Sequence, residues 1–265
     1  MTEALTTLID WYREPLYLQF VVVTGLISTF GFLAFAGPLT LIVAHDPAWA
    51  RPHRIQSRHD KHVSTREALK QWAINNTQSL VSASLLWPLF RLTGVHAGPL
   101  PAWWVIAAQL LFFIYLDDFL YYWFHRSMHT RWLLKHVHGV HHRIYAPRAI
   151  AGHYMHPVEY GLTGLIVLIG PMLVGAHVVT VWLWVLFRQW EAAEGHCGYD
   201  FPWSPTRWLP FSDGAIHHDL HHAKIRGNYA GFLRWTDQVF GTLVPDYKAE
   251  RDRLRDASAA VPGAK

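Results

Sequence analysis

The chain has 265 residues, a length that allows one large domain or two small ones. A net charge of +4, 51% apolar residues, 14 tryptophans and a mean hydropathy of +0.09 make it more apolar than a soluble domain with 16% charged residues usually is. Its single cysteine, Cys197, excludes a disulfide framework and a thiolate-cage zinc site, and no basic stripe with interleaved aromatic residues indicates nucleic acid. The first residues include acidic side chains and no basic leader, so we expect no cleaved signal peptide.

Four apolar stretches predict membrane-spanning helices within a single domain, residues 1–265, at about 16–44, 79–95, 101–124 and 158–190. The first stretch carries no charged side chain over more than the ~20 residues that a helix needs to cross a bilayer. The fourth is interrupted near Gly170 and Gly175, which favours a hairpin over one tilted helix. The sequence therefore predicts an all-α integral membrane protein, and the alternative is a soluble protein with a very apolar helical core.

The charge distribution predicts which connections share a side of the membrane. The segments rich in Lys and Arg are 45–71, 126–148 and 207–234. They share one face if the first helix runs from outside to inside, as the positive-inside rule requires. The histidine-rich regions 125–142 and 196–222 then lie at the cytoplasmic face.

Histidine is enriched to 19 residues, and three groups have the spacing of metal ligands on helices. The groups are His125 with His129, His138 with His141 and His142, and His218 with His221 and His222. Side chains at i, i+3 and i+4 lie on one face of a helical turn, so the members of a group are predicted to converge on one metal. Eight imidazoles exceed the about four ligands of a zinc ion, and two six-coordinate first-row ions, each with an open position, fit the number better.

The ligand type alone does not name the metal, because imidazole binds iron, zinc, copper and nickel alike. A histidine cluster beside lipid favours iron, which activates dioxygen for the oxidation of a C–H bond. Zinc can occupy such a site in a purified sample, since affinity also follows metal availability.

Asp118, Tyr122, His125 and His129 fall at i, i+4, i+7 and i+11 and therefore share one stripe of a helix. A carboxylate on this stripe is predicted to accept a hydrogen bond from a ligand imidazole and fix its tautomer. The alternative is that Asp117 and Asp118 only mark the membrane boundary. Acidic residues at the end of a span are costly, which favours the functional role.

The segments HRSMH, HGVHH and HHDLHH resemble the three histidine boxes of the membrane fatty acid hydroxylase/sterol desaturase superfamily. The resemblance covers residues 117–242, and EGHCGYDFPWSP, NYAGFLRWTDQVFGT and GHYMHPVEY bring it near the C4-methylsterol oxidase and cholesterol 25-hydroxylase branch. It implies a non-haem diiron oxygenase that uses dioxygen and two electrons from a separate reductase. It also implies about four transmembrane helices beneath a cytosolic helical cap.

Carried over position by position, the resemblance implies nine metal ligands: His125, His129, His138, His141, His142, His196, His218, His221 and His222. His156 and His217 match histidines of some relatives and are further candidates, as ligands or as neighbours of ligands. His136 and His153 are expected in supporting or interfacial positions. The other histidines, at positions 45, 53, 59, 62, 96 and 177, are expected to be structural.

Two positions depart from the pattern of the superfamily. Cys197 stands where serine is expected. A thiol beside iron would be open to oxidation. The alternative is that Cys197 is simply a small buried residue. Asp200 stands where other branches carry a further histidine. It is a candidate carboxylate or water-mediated ligand, or a cap of the following turn, which we prefer.

The predicted reaction is the insertion of one dioxygen atom into a C–H bond of a sterol-like or other lipid that enters from the bilayer. Tyr122, Trp123, Trp203 and Trp208 are candidate lining residues, with an interfacial aromatic belt as the alternative. A lipid desaturase at the same site and a non-catalytic metal-binding or transporting membrane protein remain alternatives. The C-terminal DASAAVPGAK is no retrieval signal, so a bacterial inner membrane is as compatible as the endoplasmic reticulum.

Overall fold

The computed structural model describes residues 2–56 and 63–259, and every regular element in this part of the chain is helical. Its α-helices are α1 (Thr2–Arg13), α2 (Pro15–His45), α3 (Thr65–Arg91), α4 (Trp103–Met128), α5 (Arg131–His136), α6 (Pro157–Leu173), α7 (Val178–Gly195), α8 (Ile216–Lys224), α9 (Trp235–Val239) and α10 (Tyr247–Ala259). Short 3-10 turns lie at Arg51–His53, His138–Arg143, Ala149–Ala151 and Pro205–Trp208. The predicted all-α fold is confirmed.

Helices α2, α3, α4, α6 and α7 form a bundle. Helix α2 contains a π-helical stretch at Leu18–Val23 and runs antiparallel to α3, against which Thr29 Oγ1 lies 3.0 Å from Asn76 Oδ1. It runs parallel to α7, where Gln189 Nε2 donates to Ser28 Oγ at 3.2 Å. Polar groups on three helices thus lie inside the bundle.

Helix α3 begins in a capping box, which explains why it starts well before its apolar part. The Ser64 hydroxyl accepts from the Glu67 N–H, and the Glu67 carboxylate accepts from the Ser64 N–H at 2.8 Å. This arrangement satisfies two donors that a helix N-terminus otherwise leaves unpaired.

The two ends of the bundle differ in size. At one end the connections 92–102 and 174–177 are short, and the His96 N–H donates to the Ala176 carbonyl at 3.3 Å. Gly175 has a φ of +55°, and a Cβ there would lie 3.0 Å from the Gly94 carbonyl oxygen, so only glycine lets these connections cross. All longer connections, and with them the histidine-rich segments, lie at the other end.

Two helices of the described chain, Pro15–His45 and Trp103–Met128, are long and apolar enough to cross a membrane. They coincide with the first and third predicted spans. The second predicted span forms the C-terminal part of α3, which ends at Arg91 rather than at residue 95. The fourth, 158–190, is divided into α6 and α7, as the hairpin interpretation expected.

The outer face of the bundle exposes large apolar side chains. Phe30 on α2 is 62% exposed, Leu85 on α3 is 73% exposed and Trp103 on α4 is 76% exposed. An outer face with large exposed apolar side chains on three helices is typical of a surface that faces lipid. It disfavours the alternative of a soluble protein with an apolar core.

Candidate metal centre

The nine histidines that the sequence singles out converge in two clusters. The five-histidine cluster contains His125, His129, His138, His142 and His221, and the four-histidine cluster contains His141, His196, His218 and His222. Within each cluster one nitrogen of every ring lies within 4.8 Å of those of all other members.

Each cluster draws on several elements at the same end of the bundle. His125 lies in the last turn of α4 and His129 is its C-cap. The 3-10 turn His138–Arg143 carries three rings, His196 is the C-cap of α7, and α8 carries three more. A Cβ on Gly139 would lie 2.5 Å from the Leu134 carbonyl oxygen, so glycine allows this 3-10 turn to pack on α5.

The spacing of the nitrogens is that of a metal coordination shell. Nε2 atoms of neighbouring rings lie 3.0 to 3.3 Å apart in both clusters. Nitrogens bound at about 2.1 Å and at right angles around one ion stand about 3.0 Å apart. The donor set therefore fits one metal ion in each cluster.

The opposite nitrogen of most rings is held by an acceptor, which determines the tautomer. The Nδ1 atoms of His125, His221 and His222 lie 2.7 Å from the carbonyl oxygens of Tyr229, Gly227 and Ile144, respectively. The same pattern holds for His141 with the Tyr154 carbonyl, for His196 with the Ala192 carbonyl and for His138 with the Glu159 carboxylate.

A ring that donates its Nδ1–H to an oxygen presents an unprotonated Nε2. These Nε2 lone pairs point at one another across 3.0 to 3.3 Å and repel unless a cation lies between them. The protein thus forms two nitrogen-lined positions that are complementary to a positive ion.

Burial keeps the rings neutral as well. It lowers the pKa of His138 to about 3, because apolar surroundings oppose the charged form. The pKa of His141 is lowered to about 3 by burial and by the neighbouring His196, and burial lowers the pKa of His196 to about 4. These imidazoles need no deprotonation to bind a metal at neutral pH.

The spacing predicts that the members of each histidine group converge on one metal. The structure instead divides two of the three groups between the clusters. His138 and His142 belong to the five-histidine cluster, whereas His141 belongs to the other. On α8, His218 and His222 belong to the four-histidine cluster and His221 to the five-histidine cluster. On α8 the i and i+4 rings lie about 40° apart, whereas the i+3 ring lies about 100° from the i+4 ring, so it diverges from the other two. Two segments therefore bridge both clusters.

Glu159 is a site residue that the sequence reasoning missed. It lies at the start of α6, is buried, and its Oε1 lies 2.6 Å from Nδ1 of His138. A carboxylate in this position orients the ring and raises its basicity. The stretch HPVEY contained the signal, since Glu159 is the first acidic residue after Asp118.

The loop 227–230 was missed as well, although it lies in the NYAGFLRWTDQVFGT stretch. It supplies the Gly227 and Tyr229 carbonyls that hold two ligand-type rings. Asp237 fixes this loop by accepting from the Tyr229 N–H at 2.9 Å and the Ala230 N–H at 2.8 Å. Backbone acceptors leave no trace in side-chain identity, so spacing arguments do not reveal them.

The predicted acidic partners of the imidazoles have other roles. Asp118 Oδ1 accepts from the N–H groups of Phe232 and Leu233 at 3.3 and 3.1 Å, not from a histidine ring. Asp117 Oδ2 lies 3.2 Å from Nε of Arg188, inside the bundle. The prediction that Asp118 orients a ligand histidine is therefore wrong. The alternative that the two aspartates only mark the membrane boundary does not hold either, because both are buried inside the bundle.

The further candidate ligands lie outside both clusters. His156 caps α6 by accepting from the Val158 N–H at 3.2 Å. His217 is buried with its Nε2 3.3 Å from Oδ2 of Asp237, so it supports the carboxylate that fixes the 227–230 loop. Asp200 pairs with Arg207 at 2.6 Å and with Arg255 at 3.4 Å, so it is neither a ligand nor a turn cap.

Cys197 is a buried thiol in the hydrophobic core. Its Sγ donates to the Tyr199 carbonyl at 3.0 Å, and burial raises the pKa of the thiol well above its usual value. A protonated thiol bound to backbone is neither a ligand nor an easy target of oxidation. The interpretation as a small buried residue fits this geometry.

The remaining histidines also lie apart from the clusters. His136 is exposed and contacts Trp132 with a tilted ring, whereas His153 is buried and stacks on Phe32, with ring centroids 3.7 Å apart. His177 caps α7. His59 and His62 lie outside the described residues.

A cavity of about 440 Å³ runs through the bundle to the four-histidine cluster, two of whose rings, His196 and His218, line it. The exposed side chains Leu80 and Leu162 also line it, so it continues to the apolar outer face between α3 and α6. No ring of the five-histidine cluster lines it. Instead His129 and His142 are only partly buried, which places that cluster nearer the polar surface.

The predicted aromatic lining is wrong. Tyr122 is buried and its hydroxyl lies 3.0 Å from Thr242 Oγ1. Trp123, Trp203 and Trp208 are exposed, and none of these four residues lines the cavity. Its aromatic walls are instead Phe20, Phe90, Tyr121 and Tyr160.

Comparison with known proteins finds the same family that the histidine boxes resemble. The fatty acid hydroxylase family profile matches residues 110–242. Methylsterol monooxygenase 2-2 of Arabidopsis thaliana is 36% identical over 217 residues, which are 78% of this chain and 80% of that protein. The very-long-chain aldehyde decarbonylase GL1-11 of Oryza sativa subsp. indica is 44% identical over 162 residues, 60% of this chain. The match spans 61% of the length of that rice protein. No solved structure matches the chain significantly.

Proposed function

Because this chain belongs to the fatty acid hydroxylase family, we propose that it is a membrane-embedded oxygenase that hydroxylates a C–H bond of a sterol-like lipid. The observation that carries the proposal is the convergence of nine buried or half-buried imidazoles, with Nε2 atoms 3.0 to 3.3 Å apart, at the end of a lipid-sized cavity. The relatives named methylsterol monooxygenases support the sterol-like substrate.

The two clusters would each hold one iron ion, through the Nε2 atoms of His125, His129, His138, His142 and His221 in one and of His141, His196, His218 and His222 in the other. When bound, iron supplies the activation of dioxygen. The reaction consumes one dioxygen, two electrons and two protons, and it yields the hydroxylated lipid and one water. The protein's own contribution is to orient the imidazoles through their Nδ1 partners and to shield the reacting carbon from bulk water.

Substrate and electrons would approach from opposite sides of this centre. The cavity leads to the four-histidine cluster, so the reacting carbon lies there. The five-histidine cluster faces the polar surface. The segment 119–158 carries four of its five rings and contains five Lys or Arg residues and no Asp or Glu. An electron-donating reductase with an acidic surface would complement this charge.

The charge distribution supports a multi-pass arrangement with the histidine clusters at the cytoplasmic face. Of the described Lys and Arg residues, only Arg13 and Arg91 lie at the end of the bundle with the short connections. Arg188 is buried in the interior of the bundle. All others lie at the histidine end, as the positive-inside rule requires of the cytoplasmic side. In this arrangement α2, α3, α4 and the α6–α7 hairpin form the membrane region, beneath a cap of residues 196–259.

Product analysis separates this function from its alternatives. Purified, iron-loaded protein is supplied with a chemical or enzymatic reductant, dioxygen and a lipid extract, and the products are measured by mass spectrometry. A gain of one oxygen atom supports a hydroxylase, a loss of two hydrogens a desaturase, and loss of an aldehyde carbon a decarbonylase like the rice relative. Fewer than two metals per chain after iron loading, or no oxygen-dependent product, would refute the diiron proposal.

A further inference from the structure

The outer face of α4 forms one wall of an apolar groove that shares no residue with the cavity of the bundle. The groove has a volume of about 580 Å³, and all of its lining side chains are aliphatic or aromatic. Its α4 wall extends from Ala108 to Phe119, about 16 Å along the helix axis. Its opposite wall comes from the cap, which contributes Phe211 and Trp235. We call it the α4 groove.

The cap reaches well along α4 on this side of the molecule. The ring of Trp235 stacks on the ring of Phe119, with centroids 6.0 Å apart. Phe119 precedes Met128, the last residue of α4, by nine residues, or about 13 Å. Because α4 is long and apolar enough to cross a membrane, the cap residues beside Phe119 adjoin the bilayer in the proposed arrangement.

The cap side chains next to the α4 groove are exposed although they are large and apolar. Phe211 is 47% exposed, and Val239, one turn after Trp235 on α9, is 68% exposed. Phe240 packs against Trp123 of α4, with ring centroids 4.9 Å apart, and is itself partly exposed. This edge continues the apolar outer face of the bundle, so hydrocarbon covers it better than water does.

A cation lies at the end of the α4 groove that is nearer to the histidine clusters. The ring of Phe119 contacts Trp123 at a centroid distance of 6.5 Å, and the Arg126 guanidinium lies 5.6 Å from the Trp123 centroid. These three residues are at i, i+4 and i+7 and share one face of α4. Arg126 is exposed and donates to the Tyr122 hydroxyl at 2.9 Å, and no carboxylate among the described residues pairs with it.

An apolar groove that ends in an indole ring and an unpaired guanidinium is complementary to a phospholipid. Tryptophan is enriched at the level of the lipid headgroups, and arginine attracts anionic lipids of the membrane surface. A second copy of the chain fits less well. In a symmetric pair of α4 helices, Arg126 would find no acidic partner, because Asp117 and Asp118, the acidic residues of α4, are both buried.

We propose that the α4 groove binds an anionic phospholipid, with one acyl chain along α4 between Phe119 and Ala108 and the phosphate at Arg126. The Trp123 ring lies between them, at the level of the glycerol backbone. Only the assignment of this lipid to the cytoplasmic leaflet rests on the proposed function and its membrane arrangement. The binding itself needs neither metal nor turnover.

The test is photo-crosslinking of the purified full chain in phosphatidylcholine nanodiscs that contain a small fraction of a probe lipid. One probe is phosphatidylglycerol and the other is phosphatidylcholine, each with the same diazirine-bearing acyl chain. Labelled peptides are quantified by mass spectrometry. We expect peptides that contain the α4 wall or Trp235 to be labelled about fivefold more by the anionic probe, since one basic residue near the surface contributes about this factor.

The variant Arg126→Gln is expected to bring the two probes to within about twofold, by lowering only the labelling from phosphatidylglycerol. Arg126→Lys keeps the charge and is expected to keep the preference. Arg66→Gln is the matched control, because Arg66 is also exposed at the histidine end of the bundle but lies on α3. It is expected to behave like wild type. Thermal unfolding and metal content show whether each variant is folded.

A second variant tests the apolar part of the site. Ala108→Trp places an indole ring in the groove and is expected to reduce groove labelling by both probes equally, with the preference between them unchanged. Labelling that stays at the wild-type level in Ala108→Trp would show that the acyl chain lies elsewhere and would overturn the proposal.

Three further outcomes would overturn it. Equal labelling of the wild-type groove by both probes would mean unselective contact with the bilayer. Loss of the preference in Arg66→Gln but not in Arg126→Gln would place the headgroup on α3. Crosslinks between the α4 helices of two copies, without lipid labelling, would make the groove a protein interface. A chain that shows the expected labelling but forms no oxidised product would refute the proposed function and leave the lipid site standing.

Discussion

Replacing Glu159 by glutamine tests whether the carboxylate behind His138 strengthens the five-histidine cluster. The change keeps the size of the side chain and an acceptor oxygen, and it removes the negative charge. Loss of such a carboxylate typically lowers metal affinity or activity by about 10- to 100-fold, or about 1.4–2.7 kcal/mol. The 2.6 Å separation and the burial of both residues indicate the upper part of this range, because charge-assisted hydrogen bonds are strongest when short and shielded from water.

The assay is iron retention against a graded series of chelator concentrations, with iron per chain measured by elemental analysis. Glu159→Gln is expected to lose one iron at about 30- to 100-fold lower chelator than wild type and to hold the second iron normally. Asp213→Asn is the control, since Asp213 is also a buried carboxylate but pairs with Arg234 and Arg251 instead of an imidazole. Unchanged iron retention in Glu159→Gln, or an equal loss in both variants, would refute the reasoning.

Three further predictions concern other parts of the site. His141→Ala is expected to abolish turnover and to lose more iron than His129→Ala, because it leaves three rings in its cluster instead of four; the reverse order in elemental analysis would contradict the assignment. Cys197→Ser is expected to keep both irons and to change stability by no more than about 1 kcal/mol, since its Sγ contacts backbone; a lost iron would place the thiol at the metals. Burial would raise the pKa of Asp213, but the Tyr247 hydroxyl and three arginines hold it below its usual value. The wild-type advantage in stability over Asp213→Asn should therefore be constant above about pH 5 and decrease as the pH falls from about 4 through the lowered pKa, measured by thermal unfolding; an advantage that grows as the pH falls would contradict this sign.

The histidine spacing identified the rings that meet, and the family resemblance is confirmed. The spacing did not identify how the rings are divided between the two clusters. On a helical turn the side chains of His221 and His222 point in directions about 100° apart. Whether they reach one ion or two depends on which other histidines face them from the rest of the protein. Sequence spacing contains no information about the opposite wall.

The supporting atoms were the least predictable part of the site. The carbonyls of Gly227, Tyr229 and Ile144 hold three rings, and any residue type offers the same carbonyl. Asp118 shares a helical stripe with His125, but a neighbouring loop presents two unpaired N–H groups to it, and these attract the carboxylate instead. Residue type alone does not place a tryptophan in a cavity, because large aromatic residues at a membrane interface more often face outward.

The pairing of Arg188 with Asp117 and Glu191 has a consequence for the biogenesis of the protein. An arginine near the middle of a membrane helix opposes insertion by about 2.5–3.5 kcal/mol. Helix α7 carries Arg188 together with two acidic residues, Glu191 and Glu194. Asp117 lies on α4, which is synthesised earlier and is more apolar. Helix α7 is thus expected to leave the translocation channel only when α4 is present to neutralise it, so that ribosomal synthesis order and the final packing are coupled. Truncated chains that lack α4 should fail to integrate α7, even though its remaining sequence is apolar.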